Sequence, residues 1–145
     1  MLEVKFYENV ADELLKFAVI ISKSKGKWVF CKHKERETYE VPGGHRELNE
    51  TIFETAKREL YEETGALQFD IRSVCVYSVT GRNSVNQTGE ETYGMLFFAE
   101  IQSFENELHS EMESVFFFDA LPTEWTYPLI QPLLINEYRR RSETI

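Results

Sequence analysis

A double glycine at 43–44 followed by a glutamate-rich helical pattern constrains the fold of this chain more than any other feature. Thr51 and Glu54 form a T-x-x-E capping box, in which each side chain bonds the backbone of the other residue. Apolar residues recur at helical spacing after this box, and Gly65 suits the left-handed conformation that ends many helices. The pattern predicts a helix from about Ile52 to Thr64.

Short apolar runs on both sides of this helix indicate strands. The runs at 16–22 and 28–33 flank a polar turn with Gly26, which predicts a hairpin. A second helix is expected to begin near Pro132, because proline fits the first turn of a helix, and to end in a solvated arginine run. Further strands are expected at residues 2–7, 39–44, 69–81, 92–101 and 115–122. Two helices separated by several strands predict a mixed sheet flanked by helices.

The composition limits the partners of the chain. Its 145 residues suit one domain, spanning residues 1–145, and its formal net charge is −9. A protein this acidic is a poor candidate to bind a nucleic-acid polymer or an anionic membrane. A phosphorylated ligand would need a cation between its phosphates and the acidic protein. Cys31 and Cys75 lie in apolar runs and are expected to be buried free thiols. The N-terminus lacks the pattern of a signal peptide and no apolar run reaches membrane-spanning length, so a cytoplasmic location is expected.

Three carboxylates crowd one side of the predicted helix. Glu59, Glu62 and Glu63 fall within roughly a 100° arc, where like charges repel one another. One offset would be a divalent cation, since carboxylate oxygens are hard ligands suited to Mg²⁺ or Mn²⁺. Arg58 is a second offset, because it can reach Glu62 and Glu54 one turn away in either direction.

The double glycine adds backbone oxygen to this acidic surface. Gly43 and Gly44 permit an unusual backbone path and the close approach of a ligand, and the Gly43 carbonyl could point at a metal. Glu50 follows at the entry to the helix. The loop and the helix can therefore form one oxygen-lined pocket.

These residues together resemble the signature of the Nudix hydrolases, G-x5-E-x7-R-E-U-x-E-E-x-G-U, in which U is apolar. The signature is filled by Gly44, Glu50, Arg58, Glu59, Leu60, Glu62, Glu63, Gly65 and Ala66. The resemblance implies an α/β (α+β) fold, an α/β/α sandwich with a central mixed sheet. It also implies hydrolysis of a nucleoside diphosphate linked to another group, by water attack on phosphorus, with Mg²⁺ as cofactor and Mn²⁺ as a substitute.

The resemblance also implies roles for single residues. Glu59 would orient or deprotonate the attacking water, Glu63 would be the surest metal ligand, and Arg58 would hold the glutamates in place. Glu50 would be either a further ligand or a structural partner of the loop. The implied metal ligands are Gly43 through its carbonyl, Glu50, Glu59, Glu62, Glu63 and, from a later loop, Glu111.

Glu111 is included because many members of this family draw one more acidic ligand from a loop before a late strand. Glu113 is the second choice, while Glu107 and Glu91 remain possible. The alternative is a solvated acidic loop without a metal contact.

Polar residues near the double glycine are candidates to contact the substrate. They would border the pocket and could contact phosphate or base, although they could also be a polar strand end. Trp125 and Tyr127 lie in a loop that could rim the pocket, but core packing is the favoured interpretation for both. The substrate-binding candidates are Lys32, His33, Arg36 and Gly44.

Residues outside the signature narrow the substrate class. ADP-ribose hydrolases of the family tend to carry a proline at the place of residues 79–81, where this chain has none. Dinucleoside polyphosphate hydrolases tend to carry a tyrosine slightly later, where this chain has Arg82 and Asn83. The added upstream motif of the coenzyme A type is absent as well. These absences favour a nucleoside triphosphate, ordinary or oxidised, cut to monophosphate and pyrophosphate. The segment 33–44 also resembles MutT-like diphosphatases of oxidised guanine nucleotides.

Two other classes of protein remain open at this point. A Nudix-fold module could bind or sense a nucleotide without turnover, although such members usually lose a signature glutamate and this chain has lost none. The other class is a protein that binds a cation or a partner without nucleotide chemistry. That class does not explain the double glycine. The expected partner is a small-molecule nucleotide, with the chain acting as a monomer or homodimer.

Overall fold

The computed structural model describes residues 2–83, 86–105 and 112–143. Within that part of the chain, seven strands form one sheet and two α-helices pack against it. The helices are α1 (Ile52–Thr64) and α2 (Gln131–Glu143), and a 3-10 turn lies at Asp12–Leu14. The strands are β1 (Glu3–Tyr7), β2 (Leu15–Ser24), β3 (Lys27–His33), β4 (Gly43–His45), β5 (Ala66–Thr80), β6 (Thr92–Phe104) and β7 (Met112–Phe118).

The sheet is mixed, as the sequence predicts. Its order is β1-β5-β6-β2-β3-β7, with β4 pairing β2 outside that path. The pair β2–β6 is parallel and the other pairs are antiparallel. The predicted hairpin is β2–β3, and its two-residue turn has positive φ at both Lys25 (53°) and Gly26 (81°), the geometry that suits the twist of a hairpin.

The strands of this hairpin separate soon after the turn, and the opening between them positions the double glycine. The pairing between these two strands is limited to residues 23–24 of β2 and residues 27–28 of β3. Farther on, segment 40–45 lies between them: Cys31 N–H donates to the Glu40 carbonyl and Ile20 N–H to the Pro42 carbonyl, each at 2.9 Å. The predicted strand at 39–44 is therefore shifted, since the regular pairing starts at Gly43 and not before Pro42. Proline has no N–H to give to a ladder, which explains the later start.

The two helices cover opposite faces of the sheet. Neighbouring residues along a strand point to opposite faces, and Ile20 packs in the cluster that contains α1 whereas Ile21 packs in the one that contains α2. Ala56 and Leu60 anchor α1, and Leu134 and Ile135 anchor α2, all four fully buried. This arrangement confirms the expected mixed sheet flanked by helices.

The predicted elements all occur, but several of their boundaries differ by a few residues. The first helix spans the predicted residues, and α2 begins near Pro132 as predicted. By contrast, β5 begins earlier, at Ala66, β6 ends later, at Phe104, and β7 spans Met112–Phe118 in place of the predicted 115–122. The arginine run is not simply solvated, because Arg141 binds Glu8 at 2.7 Å and Glu137 at 2.8 Å.

Both cysteines are buried free thiols, as predicted. Among the described residues, neither helix has the length and apolar content that a membrane span requires.

Candidate active site

A cleft of about 630 Å³ lies where β4 and α1 meet residues from the end of β5 and the start of α2. Its acidic residues are Glu40, Glu59, Glu62 and Glu63. Its apolar lining includes Phe17, Val19, Val41, Tyr77, Val79, Ile130 and Leu134. Its other polar residues are His33, Arg36, His45, Asn83, Asn86, Thr92, Tyr127 and Gln131, with Gly43 and Gly44 completing the wall.

The caps of α1 hold the glutamates against this cleft. Thr51 Oγ1 accepts the Glu54 N–H at 3.1 Å, and Glu54 Oε1 accepts the Thr51 N–H at 2.9 Å, which confirms the predicted capping box. At the other end Gly65 has φ of 76°, and its N–H donates to the Tyr61 carbonyl. Because both ends are fixed and the apolar side is buried, the acidic side of α1 has a defined orientation.

Arg58 is the hub of the acidic cluster. Its Nη1 donates to Glu59 Oε2 at 3.1 Å and to Glu62 Oε1 at 3.0 Å, while Nη2 donates to the His45 carbonyl at 3.0 Å. The guanidinium thus ties the helix to the strand that carries the glycines. The predicted contact with Glu62 is confirmed, but the one with Glu54 is wrong, because Glu54 serves the capping box.

Glu50 is the strongest partner of Arg58. Its two oxygens accept from Arg58 Nε at 2.6 Å and from Nη2 at 3.1 Å, a bidentate geometry that strengthens a charged pair. Glu50 Oε1 also accepts the Thr55 hydroxyl at 2.8 Å and the Glu47 N–H at 2.9 Å. These donors, Arg58 first, lower the pKa of Glu50 to about 2. Glu50 does not line the cleft, and its contacts are those of a structural partner of the loop.

Glu63 is held very differently. Its Oε1 accepts the Gly43 N–H at 2.9 Å, so the carboxylate sits against the double glycine. Burial raises its pKa to about 9, with smaller contributions from the neighbouring Glu59 and Glu40. The pKa of Glu59 is raised as well, chiefly by burial, although Arg58 opposes the shift. Buried carboxylates of this kind call for a nearby positive charge.

The second glycine makes room for Glu59. A Cβ atom built on Gly44 would lie 2.1 Å from Glu59 Oε2, so any larger residue would displace that carboxylate. A Cβ on Gly43 would instead meet the Ala18 carbonyl oxygen at 2.7 Å. The two glycines therefore serve different purposes: Gly43 lets β4 approach β2, and Gly44 lets Glu59 approach β4.

The donor chemistry of the cleft fits a divalent cation. Glu59, Glu62 and Glu63 line it with hard carboxylate oxygens, and Gly44 has a hydrogen where a side chain would close the space. No three acidic, histidine or cysteine side chains among residues 2–83, 86–105 and 112–143 are arranged as a ready-made metal site. The carboxylates accept from Arg58 and the Gly43 N–H, and their remaining lone pairs would be open to a cation.

The structure brings most of the predicted site together. Among the candidates for substrate contact, His33, Arg36 and Gly44 line the cleft. Lys32 does not, since it is buried and its ammonium donates to the Arg36 carbonyl at 3.1 Å.

The candidates for the later acidic ligand are mostly beyond what the structure describes. Glu111 and Glu107 lie outside the described residues, and Glu113 belongs to β7. Glu91 is not part of the cleft lining. Its carboxylate accepts the hydroxyls of Tyr7 and Ser78 at 2.7 Å and that of Tyr93 at 2.9 Å.

Several cleft residues were not anticipated from the sequence. Glu40 is 8% exposed, pairs with Arg36 at 3.5 Å, and has a pKa raised by burial. Gln131 Oε1 accepts the Val41 N–H at 2.9 Å, which orients the amide. Asn86 is buried, and its Nδ2 donates to the Glu90 carbonyl. Only Glu40 had a usable signal, its position just before the double glycine; the amides come from distant segments without a motif.

The architecture that holds this site is a mixed sheet between two helices, with the glycines of β4 beside the glutamate-rich helix α1. The chain matches the NUDIX domain over residues 13–129 and belongs to that family. It is a Nudix hydrolase. Enzymes of this family generally use divalent metal ions.

Similar proteins are found both by sequence and by structure. YtkD of Bacillus subtilis (strain 168), by its name a candidate 8-oxo-dGTP diphosphatase, is 30% identical over 121 residues, which cover 83% of this chain and 72% of that protein. The crystal structure of the Bacillus subtilis pyrophosphohydrolase BsRppH has a TM-score of 0.76 at 23% identity, covering 96% of this chain and 90% of that one. The NUDIX domain of Shewanella oneidensis NrtR, complexed with ADP ribose, has a TM-score of 0.65 at 15% identity, covering 88% of each chain.

Proposed function

We propose that this chain hydrolyses a nucleoside triphosphate, ordinary or oxidised, to the monophosphate and pyrophosphate, with Mg²⁺ as cofactor and Mn²⁺ as a substitute. The observation that carries the proposal is one cleft that combines three clustered carboxylates with cationic, amide and apolar residues. The carboxylates suit a metal-bound polyphosphate, and the other residues suit a nucleoside.

The acidic part of the cleft supplies the chemistry. A bound cation would neutralise charge on the phosphates and so ease attack by water on phosphorus. Glu63 and Glu62 would hold that cation. Glu59 Oε2 already accepts from Arg58, which leaves Oε1 to accept a hydrogen bond from the attacking water. Arg58 touches no substrate in this scheme and acts by fixing the carboxylates.

The remaining residues would bind and orient the nucleotide. Arg36 carries a positive charge into the cleft, where Glu40 and the Tyr127 side chain hold it, so it is suited to a phosphate oxygen. His33 lies on the same wall. The Gln131 amide uses its oxygen on Val41, which directs its NH₂ group to a base edge. Apolar residues beside it, such as Leu134, would cover the face of the base.

A release assay with a panel of nucleotides would test this proposal. The panel holds ordinary and oxidised nucleoside triphosphates, ADP-ribose, dinucleoside polyphosphates, NADH and nucleotide sugars, each with Mg²⁺ and with Mn²⁺. We expect cation-dependent pyrophosphate release from one or more triphosphates. The Glu63→Gln protein should lose it, while Glu100→Gln, which removes an exposed carboxylate on β6 outside the cleft, should keep it. Nucleotide binding without turnover by any panel member would overturn the proposal in favour of a binding module.

Within the triphosphates, we propose that an oxidised guanine nucleotide is the preferred substrate. The support is the 30% identity to YtkD and the resemblance of the segment before the signature to MutT-like enzymes. The comparison that tests it is kcat/KM for 8-oxo-dGTP against dGTP, with dATP as a further reference. A ratio well above one is expected, and a ratio near or below one would reject this preference while leaving triphosphate hydrolysis intact.

A further inference from the structure

The first part of β5 is an open edge of the sheet. β1 pairs with β5 only over Val76–Thr80, whereas β6 pairs with β5 along almost its whole length. Residues 66–75 therefore have β6 on one side, and no strand in the described part of the chain pairs with their other side. Such an edge presents unpaired N–H and C=O groups, which can pair with another strand.

One stretch of this edge is regular enough to accept a strand. Register shifts against β6 occur on both sides of Gln68 and between Ser73 and Cys75. The run Phe69–Ser73 between those shifts pairs without interruption and has Ile71 at its centre. Bulges hinder edge pairing, so this five-residue run is the place where a partner strand would fit.

We propose that this edge is a dimer interface, in which β5 of a second copy pairs antiparallel to β5 about a two-fold axis at Ile71. The charges select this register. A two-fold axis perpendicular to the sheet leaves each side chain on the same face of the sheet in both copies. Residues paired across the interface must also share a face, so one residue has to lie opposite its own copy at the axis. Centring on Ile71 puts Asp70 opposite Arg72 twice, whereas centring on either charged residue puts like charges opposite each other.

The two charged side chains of this register also have partners within the chain, and Asp70 Oδ2 accepts from Gln102 Nε2 at 3.2 Å. Asp70 and Arg72 lie two apart on β5 and so share a face, and both are exposed. The Arg72 guanidinium is positioned over the Phe98 and Tyr138 rings, at 5.6 and 5.9 Å.

Apolar surface beside the edge would be covered by the second copy. Phe53, Leu67, Phe69 and Ile71 line a hollow at the junction of α1 and β5, and Leu67 is 51% exposed. Exposed apolar surface next to an unpaired edge is a liability for a monomer. A second copy would cover the unpaired edge of β5 and the apolar hollow beside it at the same time.

Sedimentation velocity across a range of protein concentrations tests the proposal. We expect a monomer–dimer equilibrium in the wild type. Asp70→Arg or Arg72→Asp alone places two like-charge pairs in the interface, and each should weaken the dimer about tenfold. The double variant Asp70→Arg/Arg72→Asp restores opposite charges and should restore the dimer. Asp119→Arg, the same change on an exposed residue after the opposite edge strand β7, is the matched control and should leave the dimer unchanged.

A monomer at every accessible concentration would overturn the proposal. So would a dimer that ignores both single substitutions, or a double variant no better than the single ones. Circular dichroism and turnover separate dimer loss from misfolding, because residues 66–75 do not line the catalytic cleft and the variants should keep wild-type activity per subunit.

Discussion

Glu50 and Glu63 belong to one signature, yet the structure treats them in opposite ways. Glu50 is surrounded by donors from Arg58, Thr55 and the Glu47 backbone, and its pKa falls to about 2. Glu63 has one backbone donor, from Gly43, and burial raises its pKa to about 9. One carboxylate is satisfied by the protein alone, and the other is not.

The difference fits the proposed structural role of Glu50 and the proposed metal-binding role of Glu63. A carboxylate with all its partners supplied by the chain stabilises the fold, because its charge is paired before any ligand arrives. A buried carboxylate with a single donor is poorly compensated, and a cation in the cleft would complete it. The same substitution, glutamate to glutamine, should therefore have opposite consequences at the two positions.

The largest effect is expected for turnover in Glu63→Gln. The amide is a poor metal ligand but can still accept the Gly43 N–H, so turnover should fall at least about 100-fold with the fold retained. Without added metal the thermal midpoint at neutral pH should stay level, since a pKa of about 9 keeps the buried Glu63 carboxyl largely protonated and the amide then replaces a neutral group. Steady-state kinetics and thermal unfolding measure both quantities. Near-normal turnover in a folded protein would contradict the ligand role.

The two glycines provide a second contrast of the same kind. In Gly43→Ala the new methyl group meets backbone at the Ala18 carbonyl and Val19, so the free energy of unfolding should drop by about 1–3 kcal/mol. In Gly44→Ala it meets the mobile end of Glu59, so stability should change little while turnover falls about tenfold. Urea unfolding and kinetics on both proteins distinguish the outcomes. Equal stability losses would mean that Gly44 has a backbone role that the structure does not reveal.

Glu50→Gln completes the comparison with Glu63. The amide keeps the shape but loses the bidentate charged bond to Arg58, so the free energy of unfolding should fall by about 1–2 kcal/mol. Turnover should fall less than in Glu63→Gln, because Glu50 does not line the cleft. Chemical denaturation gives the first value and saturating kinetics the second. If turnover collapses while stability is kept, Glu50 is a ligand and its contacts with Arg58 are secondary.

The sequence predicted the elements whose signals are local. The capping box and Gly65 defined α1, and short apolar runs located the strands to within a few residues. The start of β4 was missed, because it depends on the separation of β2 from β3, which no local pattern records. Three of the four acidic cleft residues follow from one contiguous signature, whereas Gln131 and Asn86 reach the cleft from distant segments through the topology of the sheet.

The smallest effect is expected at Glu91, a carboxylate outside the cleft that is held by neutral hydroxyl donors. The hydroxyls of Ser78, Tyr7 and Tyr93 lower its pKa, so the folded state binds fewer protons at this group than the unfolded state does. The resulting stability is present above the ordinary pKa of a glutamate and is lost as pH falls through the lower, folded-state pKa.

The difference in free energy of unfolding between wild type and Glu91→Gln should therefore be largest at neutral pH and shrink on acidification. Denaturant titrations at a series of pH values measure it, with exposed Glu90→Gln as the neighbouring control. A difference that stays constant down to low pH would show that the hydroxyls hold the shape of the side chain and not its charge. Glu91 would then differ from Glu50, whose principal partner is the Arg58 guanidinium, in the kind of bond as well as in its strength.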